Sequence, residues 1–203
     1  MTVAKRGRPR GFDREAALAQ ATRLFWEYGY EGTSIADLTR AMGISPPSLY
    51  AAFGDKRALF AEVVDRYGAT FGAFMSRALD EENDARAGFD RMLREAAAAY
   101  TDPLHPAGCL VITAATNCSA QTADVQRDLR ERRAANVRRF EERLTEAEKA
   151  GVLPEGVEPR SLAVYFAAVI QGMSQQARDG ASAAELQRVA ELAMTAWPAR
   201  RGA

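Results

Sequence analysis

The sequence predicts an all-α protein in two parts, a small N-terminal three-helix domain and a larger helical C-terminal domain. Three observations predict it. Alanine and leucine abound while strand-like alternation is absent, apolar residues recur at helical spacing, and the few Gly and Pro residues fall between the periodic segments. An apolar fraction of 47% over 203 residues is ample for a buried core.

The elements follow in order. Asp13 is placed to cap a first helix reaching about residue 28, whose stripe is Leu18, Ala21, Leu24 and Phe25 and which Gly29 ends. Ser34 caps a short second helix over 35–42, broken by Gly43. Ser45 caps a third, with Pro46 at its favoured first position and its end near Phe53 and Gly54. Asp55 caps a long fourth helix that reads through Leu59, Val63, Val64, Tyr67 and Phe71 towards Leu79. Further periodic segments predict helices over 84–100, 108–118, 122–150, 159–178 and 183–197. Their breaks are Pro103 and Pro106, the 117–121 region, 151–159 and Gly180.

Charge is informative by distribution and not by sum, since 27 basic residues balance 27 acidic ones. Lys5, Arg6, Arg8 and Arg10 all precede the first acid, Asp13, and Gly7, Pro9 and Gly11 keep them from forming a helix. A basic arm over 1–11 suits phosphate or minor-groove contact, with a merely solvated tail as the alternative. No run of about 18 apolar residues occurs and the basic start leads into no apolar stretch, so a cytoplasmic protein with no membrane partner is expected. Two cysteines make no disulfide framework.

Catalysis finds no support. The single histidine, His105, lies in a Pro-rich connection, and GxSxG, P-loop, dinucleotide-type glycine and HExxH patterns are missing. Cys109 and Cys118 are nine residues apart. In one continuous helix they would face opposite sides, so neither a shared metal ion nor a cofactor is expected.

Residues 34–53 have the helix, tight turn and helix lengths of a helix-turn-helix. Gly43 stands where the chain reverses, Leu38 and Ile44 can meet under the turn, and Leu49 and Phe53 lie one helical turn apart. The inner face is then apolar, leaving Ser45, Pro47, Ser48 and Ala51 outward on a helix slim enough for the major groove. Spacing alone leaves a generic helical hairpin open. Phe25, Tyr30, Leu38, Ile44, Leu49 and Phe53 read as core. Thr33 and Ser34, at the start of the second helix, could hold a phosphate through hydroxyls and backbone N–H groups, with capping as the plainer role for Ser34.

From about Phe12 to Tyr67 the chain resembles the DNA-binding domain of the tetracycline-repressor (TetR) family of bacterial regulators. The residues that carry the likeness are the run from Ala17 through Leu24-Phe25 to Gly29-Tyr30, then Gly32-Thr33-Ser34-Ile35, Gly43-Ile44-Ser45, Ser48-Leu49-Tyr50, Phe53, and Lys56 with Leu59-Phe60. Thr39 stands where the family usually has alanine, and Ala51 and Ala52 where a polar residue is common. The threonine fits if its hydroxyl bonds back to the helix backbone. The resemblance implies a regulator, usually a repressor, that binds a palindromic double-stranded operator as a homodimer and releases it on binding a small molecule. It divides the chain into a basic arm (1–11), a DNA-binding domain (12–55) and an effector-binding and dimerisation domain (56–203). It assigns the 45–53 helix to the major groove, with Ser45, Pro47 and Ser48 as neighbours of base edges, Tyr50 and Lys56 as phosphate contacts, and Arg6, Arg8 and Arg10 in the arm.

The last two helices offer a dimer face at helical spacing, Leu162, Tyr165, Phe166, Val169, Ile170 and Met173, then Leu186, Val189, Met194 and Trp197. The same residues are expected to cover the monomer's own core as well, with a role in that core alone as the alternative. For an effector, the implied enclosing segments are 56–79, 84–100, 108–118 and 122–150. Leu110, Thr113 and Asn117 would form one wall and Phe71, Phe74, Met75, Phe89, Met92 and Leu93 the other. With no Arg or Lys cluster in the 109–118 wall, an apolar or weakly polar effector is expected. Two alternatives remain, a thiol-based redox or electrophile sensor using Cys109 or Cys118, and a ligand-independent DNA-binding protein.

Overall fold

A computed structural model of the chain describes residues 12–153 and 156–198. Arg6, Arg8 and Arg10 lie outside the described residues. Within them the elements are α1 (Arg14–Gly32), α2 (Ile35–Met42), α3 (Pro46–Phe53), α4 (Lys56–Ala69), α5 (Ala73–Glu81), α6 (Ala85–Tyr100), α7 (Leu110–Thr113), a 3-10 turn (Ala120–Thr122), α8 (Ala123–Lys149), α9 (Pro159–Arg178) and α10 (Ala183–Thr195). α1 to α3 with the start of α4 form the N-terminal cluster. The remaining helices pack as a bundle in which α6 lies against α5, α9 and α10, and α8 against α9.

Local chemistry sets the starts. The carboxylate of Asp13 accepts from the N–H groups of Glu15 and Ala16, and Asp55 and Asp84 cap α4 and α6 in the same manner. Ser34 with Asp37, and Ser182 with Glu185, form reciprocal capping boxes. α1 is not one uninterrupted helix, because Gly29 turns the chain at φ 73°, ψ 176°. The Thr39 hydroxyl bonds back to the carbonyls of Ile35 (2.9 Å) and Ala36 (3.1 Å), as its place in α2 requires.

Two predicted helices end early. The segment from 56 to 79 is two helices, because Thr70 turns its hydroxyl onto Arg66 O (2.7 Å) and the Gly72 N–H closes onto Tyr67 O (2.8 Å). A side chain at Gly72 would crowd the Tyr67 ring at 3.3 Å. The segment over 108–118 is helical only from Leu110 to Thr113. Gly108, at φ 78°, lies so close to α9 that a Cβ there would come 2.6 Å from Ser174 O. Cys109 is extended, its N–H donating to the buried Ser174 hydroxyl at 2.8 Å. Beyond Thr113 the Ala114 carbonyl accepts from the Tyr30 N–H at 2.7 Å, which draws the chain onto the N-terminal cluster and away from a helical course. Cys109 and Cys118 therefore do not sit on opposite sides of one helix.

The core of the C-terminal bundle is aromatic. Phe89 of α6 meets Phe166 of α9 at 4.6 Å between ring centroids, Phe140 of α8 at 5.5 Å and Trp197 at 5.8 Å. This corrects the proposed dimer stripe. Leu162, Phe166, Ile170, Met173, Leu186, Met194 and Trp197 are buried in the monomer's own core. Tyr165 and Val189 are exposed and Val169 half-buried, and Val164 and Leu192 join them on the outer face. No described helix is long and apolar enough to cross a membrane.

The Gly29 turn lies in a region of backbone space that is essentially restricted to glycine, and a Cβ there would meet Ala114 O at 3.0 Å. Gly29→Ala should therefore destabilise the protein by about 1–3 kcal/mol. Gly32→Ala, whose Cβ would meet only the Tyr28 Cβ at 3.6 Å, should not. Urea unfolding of the two variants side by side checks the contrast.

Candidate nucleic-acid interface and effector cavity

The N-terminal cluster is built to present α3. Phe25, Tyr30 and Phe60 form its aromatic centre, with Phe60 edge-on to each of the other rings at 5.0 Å. Leu38, Leu49 and Leu59 are fully buried beside them. Arg14 fastens α1 to its neighbours, donating to both Glu62 oxygens (2.5 and 2.7 Å) while its guanidinium lies 4.5 Å from the Phe53 ring centroid. Gly43 reverses the chain between α2 and α3 at φ 66°, ψ 31°.

On the outer side, Ser45, Pro46, Pro47, Tyr50 and Ala51 are exposed and Ser48 is half-buried. The Ser45 and Ser48 hydroxyls lie 2.9 Å apart, and Ser45 also accepts from the Ser48 N–H at 3.3 Å. Tyr50 is 49% exposed, its hydroxyl free of the core. Lys56 begins α4 with its ammonium 4.3 Å from the centroid of the Tyr30 ring. Burial depresses its pKa, while the charges of Glu31 and the Cys118 sulfur oppose that shift. Two expected phosphate ligands are otherwise engaged. Thr33 is buried, its hydroxyl donating to Gly29 O (2.7 Å) and Leu24 O (3.3 Å). Ser34 is exposed, but its hydroxyl and N–H both donate to Asp37 (2.5 and 3.2 Å), whose carboxylate occupies the start of α2.

A cavity of about 280 Å³ lies between α4, α5, α7 and α8. Its walls include Val64, Tyr67, Met75, Cys109, Val111, Arg132, Ala135, Asn136, Arg139 and Phe140. A smaller pocket shares Met75, Cys109, Val111, Asn136 and Phe140 with it and extends to Arg133 and Ile170. Arg132 pairs with Asp65 at 2.5 Å and Arg139 pairs with Asp80, so α8 is tied across the cavity mouth to α4 and α5. Arg133 donates to Val111 O at 2.7 Å.

Residues 17–63 match the N-terminal domain described as "Bacterial regulatory proteins, tetR family", and residues 88–193 match "Tetracyclin repressor-like, C-terminal domain". The transcriptional repressor ComR of Escherichia coli (strain K12) is 38% identical over 194 residues, which span 95% of this chain and 92% of that protein. BdcR of the same organism, also a transcriptional repressor, is 36% identical over 119 residues, 59% of this chain and 60% of that one. A solved structure of the TetR-family regulator CifR, a cysteine-substituted form complexed with 26-bp double-strand operator DNA, superposes with a TM-score of 0.91 at 41% identity, covering 95% of this chain and all of that one.

The chain belongs to the tetR family of bacterial regulatory proteins.

As a tetR-family regulator it is a DNA-binding protein and not an enzyme. Of the nine residues expected around an effector, only Met75 lines the main cavity. Phe74, Phe89, Met92, Leu93 and Leu110 are buried core, and Phe71 is 42% exposed, stacked among Trp26, Tyr67 and His105. Thr113 and Asn117 line neither the cavity nor the pocket beside it. The reason is the shortened α7, which sends 114–119 to the N-terminal cluster. The 109–118 segment carries no basic residue, but α8 brings Arg132 and Arg139 to the same cavity. Their signal was present in the sequence as a stripe at helical spacing, Arg132, Asn136, Arg139 and Phe140.

The segment after α7 docks on the DNA-binding cluster. Beside the Tyr30–Ala114 bond, Glu31 accepts from the Ser119 N–H (3.0 Å), the Ser119 hydroxyl (2.9 Å) and the Thr122 hydroxyl. Arg57 pairs with Asp124 and, at 3.6 Å, with Asp128. From the other side Arg178 donates to the carbonyls of Trp26 (3.1 Å) and Glu27 (3.0 Å).

Hydrogen bonds from Thr122 and Ser119 hold the Glu31 carboxyl down at about 2, below its ordinary value of 4.5. The stabilisation this carboxylate provides is complete above pH 4.5 and is lost as pH falls through about 2. Glu31→Gln should be less stable than the native protein above pH 4.5, and the gap should close on acidification towards pH 2. Unfolding midpoints measured across that range check both the sign and the window.

Proposed function

We propose that this regulator is a homodimeric repressor that reads a palindromic operator through two copies of α3 and releases it when a small molecule fills the cavity between α4, α5, α7 and α8. One observation carries the reading. Cys109 and Val111 of the cavity wall lead through the short α7 into the Ala114–Thr122 segment that is hydrogen-bonded to Tyr30 and Glu31 of the DNA-binding cluster. A ligand that displaces this wall acts on the orientation of α3. Two recognition helices must sit about 34–36 Å apart to enter successive major grooves, so a small rotation is enough to spoil the fit. The ligand works only through its preference for the non-binding arrangement, each tenfold of preference being about 1.4 kcal/mol.

In this reading Ser45, Pro47 and Ser48 approach base edges while Tyr50 and Lys56 hold phosphates. Lys56 waits over the Tyr30 ring in a half-buried place that raises the cost of its charge, and an arriving phosphate would relieve that cost. The dimer forms on the outer face of α9 and α10, around Val164, Tyr165, Val189 and Leu192, whose large apolar side chains are exposed in the isolated chain. α4 serves both parts in this reading, since Phe60 packs on Phe25 and Tyr30 while Val64 and Tyr67 line the cavity.

Three outcomes test this. Tyr165→Glu with Leu192→Glu should give a folded monomer with lost specific operator binding, read by sedimentation and fluorescence anisotropy; a dimer that persists contradicts the interface. Lys56→Ala should weaken all operator variants alike and reduce the salt slope by about one unit. Ala135→Trp, which fills the cavity mouth, should keep operator binding but abolish release by any compound found to release the native regulator.

A further inference from the structure

We propose that the effector cavity is a covalent sensor, in which the Cys109 thiol adds to a small conjugated carbonyl compound, an α,β-unsaturated ketone or aldehyde. The inference rests on the cavity reading above and names the chemistry of its ligand.

The sulfur is placed for it. Cys109 is 2% exposed to solvent yet lines both the cavity and the pocket beside it. Its backbone is fixed, since Gly108 is pressed against α9 and the Cys109 N–H is bonded to Ser174. Two phenols converge on it from different helices. The Tyr67 hydroxyl of α4, itself a cavity wall, donates towards the sulfur. The Tyr100 hydroxyl of α6, fully buried, also acts on the sulfur but makes no hydrogen bond of full geometry to any group. A fully buried donor without a well-formed bond is costly, and an oxygen arriving beside the sulfur offers it an acceptor.

Burial raises the Cys109 thiol's pKa, and the Tyr67 hydroxyl and the N–H groups of Ile112 and Val111 oppose the rise. The resting group is therefore a neutral thiol, poorly reactive towards reagents that meet it without binding. A conjugated carbonyl changes the balance when held in the cavity. The sulfur's pair forms the S–C bond at the β-carbon, the C=C π pair becomes the double bond between the α-carbon and the carbonyl carbon, the C=O π pair moves onto oxygen, and that oxygen takes its proton from a tyrosine hydroxyl. The tyrosine regains a proton from the thiol, and the enol returns to the ketone or aldehyde. The net change is addition of S–H across the double bond, with no oxidant and no leaving group. Cys118 is the contrasting thiol. It is only partly buried, faces Lys56 and lines neither the cavity nor the pocket.

The test treats the full-length regulator with 2-cyclohexen-1-one and follows both the adduct and operator anisotropy. Fragmentation must localise the adduct, because no Lys or Arg separates the two cysteines. The proposal expects one adduct, on Cys109, formed in step with operator release. Cys109→Ser should bind operator normally and no longer respond, while Cys118→Ser should respond as the native protein does. Tyr67→Phe should form the adduct at least about tenfold more slowly, the low end of general-acid contributions. An adduct confined to Cys118, release retained in Cys109→Ser, or no adduct at all would overturn the covalent proposal. The cavity reading fails by a different result, when Ala135→Trp leaves release by non-electrophilic compounds intact.

Discussion

The hydrogen bond from the Tyr30 N–H to the Ala114 carbonyl is the contact on which the rest of this structure depends. It is possible only because Gly29 turns the chain into a conformation reserved for glycine and leaves room for that carbonyl. The same bond takes Ala114 out of the helix that its sequence would otherwise continue. Without it, α7 would run on, the 114–122 segment would lie elsewhere, and the cavity wall would have no path to α3.

Around this contact the two halves are joined by Trp26, which packs on Tyr67, Phe71 and His105, and by polar and charged groups. Glu31 holds Ser119 and Thr122, Arg57 pairs with two aspartates at the start of α8, and Arg178 caps the exposed carbonyls at the end of the straight part of α1. Partly exposed pairs of this kind contribute little individually and are readily rearranged, whereas the aromatic centres on either side are close-packed and stiff. Two bodies whose seam includes such rearrangeable pairs beside the Trp26 contacts can exchange between two arrangements. A coupling of only about 1–3 kcal/mol across the seam would change operator affinity by roughly 5–150-fold.

The sequence made the N-terminal domain legible almost to the residue. Caps at Asp13, Ser34, Ser45 and Asp55 and the turns at Gly29 and Gly43 are local signals, and local signals are what a single sequence carries. The C-terminal half was less legible where tertiary contacts override propensity. Leu110–Cys118 has helical composition, but Ser174, sixty-five positions from Cys109, and Tyr30 compete for its backbone groups. The pocket was misplaced because helical spacing does not tell a core face from a cavity wall, so Phe89, Met92 and Leu93 read as lining and Arg132 and Arg139 of α8 do not. The dimer stripe erred in another way. Spacing identifies a helix with apolar residues around much of its circumference, but it does not say which side faces a partner: of two adjacent aromatics Phe166 is fully buried and Tyr165 is exposed.

The central claim is that cavity and DNA-binding cluster communicate through the 114–122 segment. The most direct test compares an operator-releasing compound's dissociation constants for the free and operator-bound regulator, in the native protein and in one carrying Glu31→Gln, Ser119→Ala and Thr122→Val. Linkage makes that ratio the coupling itself. The account predicts a large ratio in the native protein that falls towards one when the seam is cut, with both ligands then bound together. A ratio unchanged by the three substitutions would contradict it.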